Sequence, residues 1–106
     1  MKIRFLYFED CPSHDEALRR LRQVLTEEAI PAEIDIVKVE TDEQAKSLRF
    51  IGSPTVLVDD KDIDPQSGTQ YGLACRAYQL EDGRISPLPS LSMIRRAVRA
   101  AAKKQS

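Results

Sequence analysis

Two cysteines, one histidine, four glycines and no tryptophan leave this 106-residue chain short of the residues that usually carry catalysis or hold a cofactor. One histidine and two cysteines argue against a closed four-ligand zinc site within one chain. The few glycines form no glycine-rich phosphate loop, and nothing singles out a serine for a Ser-His-Asp triad. No long hydrophobic run exists: the apolar stretch Ile3 to Phe8 is interrupted by Arg4. It is too short for a signal-peptide core or a membrane span. A formal charge of −1 supplies no field toward nucleic acid or acidic lipid. The basic group Arg95, Arg96, Arg99, Lys103 and Lys104 reads as the solvated face of a terminal helix, not as a nucleic-acid surface. These absences predict a cytoplasmic protein with no cofactor, nucleic-acid or membrane partner, its oligomeric state left open. In that compartment two cysteines are reactive or metal-binding more often than bridged.

What is present describes one ordinary domain. The chain is 42% hydrophobic and 31% charged, and at this length folding buries roughly two-thirds of the surface of the unfolded chain. Ile3 to Phe8 predicts a central strand. Ala17, Leu18, Leu21, Val24, Leu25 and Ala29 recur at helical spacing, with Ser13 and Glu16 at capping-box separation and Pro31 as the stop. "AEIDIVKVE" predicts a second strand, with Ile34, Ile36, Val37 and Val39 as its apolar members. Thr41 and Gln44 form a second capping box, opening a short helix through Ala45 and Leu48 that Gly52 is expected to stop. "SPTVLVDD" predicts a third strand, Asp60 and Lys61 a turn, and "DIDP" a brief return strand. "QSGTQYG" has turn composition, and "LACRAYQLEDGRI" reads as a hairpin bent at Asp82-Gly83. "SLSMIRRAVRAAAKK" predicts a last helix capped by Ser90, with Leu91, Ile94 and Val98 as its stripe.

The predicted order is β-α-β-α-β-β-α, an α/β domain with a mixed central sheet and a hairpin-like segment before the last helix. A right-handed β-α-β crossover makes the first two strands parallel neighbours. A third strand entered through Pro54 and set antiparallel to the first begins where the first ends. Cys11, at the first strand-to-helix turn, then faces Pro54. The return strand carries residues 66–76, and Cys75 with them, toward the same end.

Cys11-Pro12-Ser13-His14 at a strand-to-helix turn, with Gly52-Ser53-Pro54-Thr55 before a strand, resembles the thioredoxin-like superfamily in its compact glutaredoxin-like form, over nearly the whole chain. "YFEDCP", "GSPTVLVDD" and "YGLACRAY" are similar to small bacterial DF family (seleno)proteins and thioredoxin-family proteins of unassigned role, some of them labelled alkylmercury-lyase-like. The resemblance implies a cis Ser53-Pro54 bond. It also exposes a departure: His14 stands where a Cys-Pro-x-Cys motif has its second cysteine.

Local physics gives each candidate a role. Cys11 at a helix mouth is expected to face solvent as an acidified nucleophile, with Pro12 at the first helical position. Cys75 is its expected resolving thiol, and the neighbouring Arg76 could favour its charged form. His14, three residues on from Cys11, is a candidate base, and Asp10 a weaker proton donor. Ser53, Pro54 and Tyr71, with Pro12, are expected to line the substrate cleft, Gly72 supplying a conformation closed to other residues. The partner implied is a disulfide substrate or small thiol. The alternatives are a soft-metal site in which Cys11 and Cys75 bind Hg(II) or Cu(I), and a non-catalytic binding module.

Overall fold

The computed structural model describes residues 1–65, 71–73 and 76–105, with side chains given through Lys103. β1 (Lys2–Tyr7) leads into α1 (His14–Glu27), β2 (Glu33–Lys38), α2 (Asp42–Leu48), β3 (Thr55–Val58) and β4 (Lys61–Asp62). β5 (Tyr78–Gln79), β6 (Ile85–Ser86) and α3 (Leu91–Gln105) follow. The result is a mixed α/β architecture: a four-stranded sheet in the order β2-β1-β3-β4 and a separate two-stranded sheet of β5 and β6. β1 runs parallel to β2 and antiparallel to β3, and β4 returns antiparallel to β3. These are the pairings expected from the crossover rule and the proline-led third strand. No helix among the described residues is long and apolar enough to cross a membrane.

The pleat of β1 divides the core. Ile3 and Phe5, with Val56 and Val58 from β3, pack under α1 and α3 through Leu21, Val24, Ile94 and Val98. Leu6 points the other way, joining Val39, Ala45 and Phe50 beneath α2. Such fully buried side chains each stabilise the fold by about 1.5–3 kcal/mol. β2 contributes less than its composition promised: it is an edge strand, and Ile36 is 44% exposed.

Local chemistry corrects several expected boundaries. α1 ends at Glu27, before Pro31 can act, because Ala29 takes φ 53°. Ile30 N–H then bonds Leu25 O and Ala29 N–H bonds Thr26 O, the paired closure of a Schellman motif. α2 closes the same way at Arg49 (φ 56°), so Gly52 is not its stop. The β3–β4 turn is Asp59-Asp60, both at positive φ, and Lys61 already belongs to β4. The two-residue turn with both centres left-handed matches the right-handed twist of the flanking strands. The Asp82-Gly83 bend and the Ser90 cap stand as expected: Gly83 has φ 88°, and Ser90 Oγ accepts Met93 N–H at 3.0 Å.

Candidate functional site

β1 pairs Leu6 with Thr55, the first residue of β3. That register sets the Ser53-Pro54 corner against the turn by which the chain leaves β1. The Ser53-Pro54 peptide is cis. In the turn, Cys11 N–H donates to Phe8 O at 3.0 Å, and Cys11 Sγ donates to Ser53 O at 3.5 Å. The cysteine and the proline loop therefore meet, 42 residues apart in sequence.

The surroundings of Cys11 differ from expectation in two ways. α1 begins at His14 with Ser13 as its N-cap, so Pro12 is not the first helical residue and Cys11 lies outside the helix. Ser13 has a helical backbone and its side chain makes no capping bond. Glu16, the other half of the expected box, is drawn away by Arg19 and Arg20. More consequentially, Cys11 is 0% exposed. The expected solvent-facing thiol is a sealed one.

Ser53 O is shared. Besides the Cys11 thiol it accepts Arg76 N–H at 2.9 Å, and Gly72 N–H donates to Phe50 O at 3.1 Å. The chain thus crosses the 50–53 segment at two backbone hydrogen bonds. Gly52, at φ 147°, makes the crossing feasible: a Cβ there would stand 2.9 Å from Arg76 Cα. Its glycine serves close approach, not helix termination. Gly72 holds no positive φ, so the special conformation expected of it is absent. Cys75, the predicted resolving thiol, lies outside the described residues.

The remaining candidates are dispersed. Pro12 and Asp10 are exposed and Tyr71 is 44% exposed, while Ser53 and Pro54 are buried. His14 stacks on Tyr7 with ring centroids 4.6 Å apart, and its Nδ1 lies 3.3 Å from Asp15 Oδ1. No hydrogen bond joins it to Cys11 among the described residues. No group of three or more His, Cys, Asp or Glu among those residues could hold a metal ion.

What the sequence reading missed is the polar clasp beneath this corner. The Arg76 side chain is 1% exposed and grips Asp62 with two nitrogens, at 2.7 and 2.8 Å. It also donates to Thr55 Oγ1 and Asp64 O, and its guanidinium lies 4.5 Å above the Tyr78 ring. Burial works against the Arg76 charge, but the Asp62 hydrogen bond and the nearby acidic groups outweigh it and raise its pKa. Burial pushes the Tyr78 phenol well above its ordinary range, although Arg76 pulls the other way. Tyr78 is therefore a neutral donor, and its hydroxyl bonds Pro54 O. Thr55 Oγ1 donates to Gly52 O at 2.5 Å, so all three carbonyls from Gly52 to Pro54 are engaged. Two buried atoms, Ser53 Oγ and Arg76 Nε, lack a hydrogen-bond partner among the described residues. A signal did exist: an arginine inside the apolar "LACRAY" demands a buried partner, and "DIDP" holds the nearby acids.

Comparison with protein-family models, with curated proteins and with solved structures returns no match for this chain.

Proposed function

We propose that this is a thioredoxin-like thiol protein in which Cys11 is the nucleophile of a guarded thiol–disulfide exchange and Cys75 its resolving partner. The carrying observation is the shared acceptor: Cys11 Sγ and the backbone N–H of Arg76, the residue after Cys75, bond the same Ser53 oxygen before a cis proline. The strand order, with β3 antiparallel beside β1, supports the fold assignment.

The exchange proceeds in two displacements. The Cys11 thiolate attacks a substrate disulfide, forming a mixed disulfide and expelling one substrate sulfur as thiolate. The Cys75 thiolate then attacks the Cys11 sulfur, forming the internal disulfide and releasing the second. Two electrons pass from the cysteines to the substrate, and the protons they lose return on the leaving thiols. Burial of Cys11 adds a condition: the crossing held by Arg76 must lift before a disulfide of any bulk can enter. Exchange is therefore gated by local opening, and its rate follows the stability of that clasp.

The test is exposure of the reduced protein to oxidised glutathione, followed by mass spectrometry. Wild type is expected to accumulate a Cys11–Cys75 disulfide, and Cys75→Ser a mixed disulfide on Cys11. Modification of Cys11 only at the rate of global unfolding, in both proteins, would overturn the reading and leave a non-catalytic module.

A further inference from the structure

β4 also borders a second feature, independent of the thiols. Between the β3–β4 hairpin and α3 lies a cavity of about 390 Å³, within the roughly 300–1,000 Å³ of small-molecule sites. Val58, Ile63, Met93, Ala97 and Ala101 give it apolar walls, and small α3 side chains leave its space open. Its charged rim is unevenly satisfied. Asp62 is neutralised by Arg76, and Asp59 Oδ1 accepts Lys2 N–H at 3.0 Å. Lys61 and Arg96 also line the cavity, and neither forms a salt bridge among the described residues. Their neighbours on α3 behave differently: Arg95 pairs with Glu27 and Arg99 with Glu28. Arg96 acts on Glu81 only through space.

We propose that this cleft binds an amphipathic anion, an aliphatic carboxylate of medium chain length. The tail occupies the apolar walls and the carboxylate takes Lys61 and Arg96, which no described residue pairs. Volume and charge favour this occupant together: a neutral hydrocarbon gains nothing from Lys61 and Arg96, and a cation is repelled by them.

Titration of the 106-residue chain with sodium decanoate, followed by calorimetry and amide chemical shifts, tests it. Saturable binding is expected, with shifts centred on residues 58–63 and 93–101. Affinity should rise roughly threefold per methylene from hexanoate to decanoate. Decanol should bind about fivefold more weakly, and the double variant Lys61→Gln/Arg96→Gln should lose about the same factor. Ala97→Phe should abolish binding by filling the cleft, and the exposed Ala100→Phe repeats that block if Ala97→Phe does not fold. Cys11→Ser should bind decanoate as wild type does, whatever becomes of the exchange chemistry. Absent saturation, equal affinity for decanol, binding undiminished in the filled variants, or a self-associated dimer that decanoate does not dissolve would each overturn the proposal.

Discussion

Arg76 and Arg99 each hold a carboxylate with more than one nitrogen, and their surroundings are opposite. The Arg76 side chain is 1% exposed and Arg99 64%, while their partners Asp62 and Glu28 are alike at 18% and 16%. Arg76 ties β4 to the chain that crosses the proline corner. Arg99 joins the end of α1 to α3, elements that Ile94 and Val98 already hold by apolar packing. In water a guanidinium that loses its partner is solvated at once. In the corner it is not, because Asp62, Asp64 O, Thr55 and the Tyr78 ring are the only solvation Arg76 has among the described residues. Burial, more than the number of bonds, determines what an arginine contributes, and here it makes a polar clasp the tie between β4 and the proline corner.

The sharpest way to break that comparison is to truncate both arginines. Arg76→Ala strands Asp62 beside a cavity and should cost about 3–5 kcal/mol in urea unfolding. It should also raise the native-state alkylation rate of Cys11 by at least about tenfold, since 1.4 kcal/mol of lost clasp is a factor of ten. Arg99→Ala should leave both readings nearly unchanged. Equal effects from the two substitutions would remove the distinction. Next in size is Gly52→Ala. It forces a Cβ to 2.9 Å from Arg76 Cα at a φ of 147°, and strain of that kind costs about 1–3 kcal/mol. The gain in Cys11 reactivity should follow, because the backbone crossing itself is pushed away. Loss of stability with Cys11 still shielded would mean that other groups seal the thiol.

A smaller contrast sits at two helix starts that look alike in the sequence. Ser13 with Glu16 and Thr41 with Gln44 have the same spacing, and only the second forms the box. Thr41 Oγ1 accepts Gln44 N–H at 3.1 Å, and Gln44 Oε1 returns to the backbone of Glu40 and Thr41. Thr41→Ala should therefore cost about 1 kcal/mol, and Ser13→Ala markedly less; a Ser13 effect as large as that of Thr41 would contradict the geometry.

The same contrast shows where sequence reading succeeds. Periodicity and the crossover rule act over a few residues or one β-α-β unit, so β1, α1, β2, β3 and their pairings were legible, as was the meeting of Cys11 with Ser53-Pro54. Glu16 could not be read from its spacing because Arg19 and Arg20, one turn on, outbid the backbone for its carboxylate. Gly52 was legible as a glycine with a purpose, though not its purpose, since the atom it avoids belongs to residue 76. Asp62 on one side and Arg76 with Tyr78 on the other converge from two segments too short for a period to show which side chains meet. The burial of Cys11 leaves no mark in the local sequence either, so it too was hidden.

The smallest expected effect tests the solvated side of the comparison. Hydrogen bonds from Arg19 and then Arg20 hold the Glu16 carboxyl at about 2, below its ordinary 4.5, and Arg99 lowers Glu28 in the same way. A carboxyl that binds its proton less readily folded than unfolded stabilises the fold above the unfolded value. That contribution fades as pH falls through the folded value, for Glu16 between about 4.5 and about 2. Both pairs are open to water on the arginine side, Arg19 being 62% and Arg99 64% exposed, so the contribution is small and 1 M salt, with a screening length of about 3 Å, should remove most of it. The double variant Glu16→Gln/Glu28→Gln should accordingly be slightly less stable than wild type at pH 7 in low salt. The two unfolding curves should converge on acidification to about pH 2, or on addition of salt at neutral pH. A difference that survives both treatments would show these carboxylates acting through packing rather than charge, and the outer arginines would then resemble Arg76 after all.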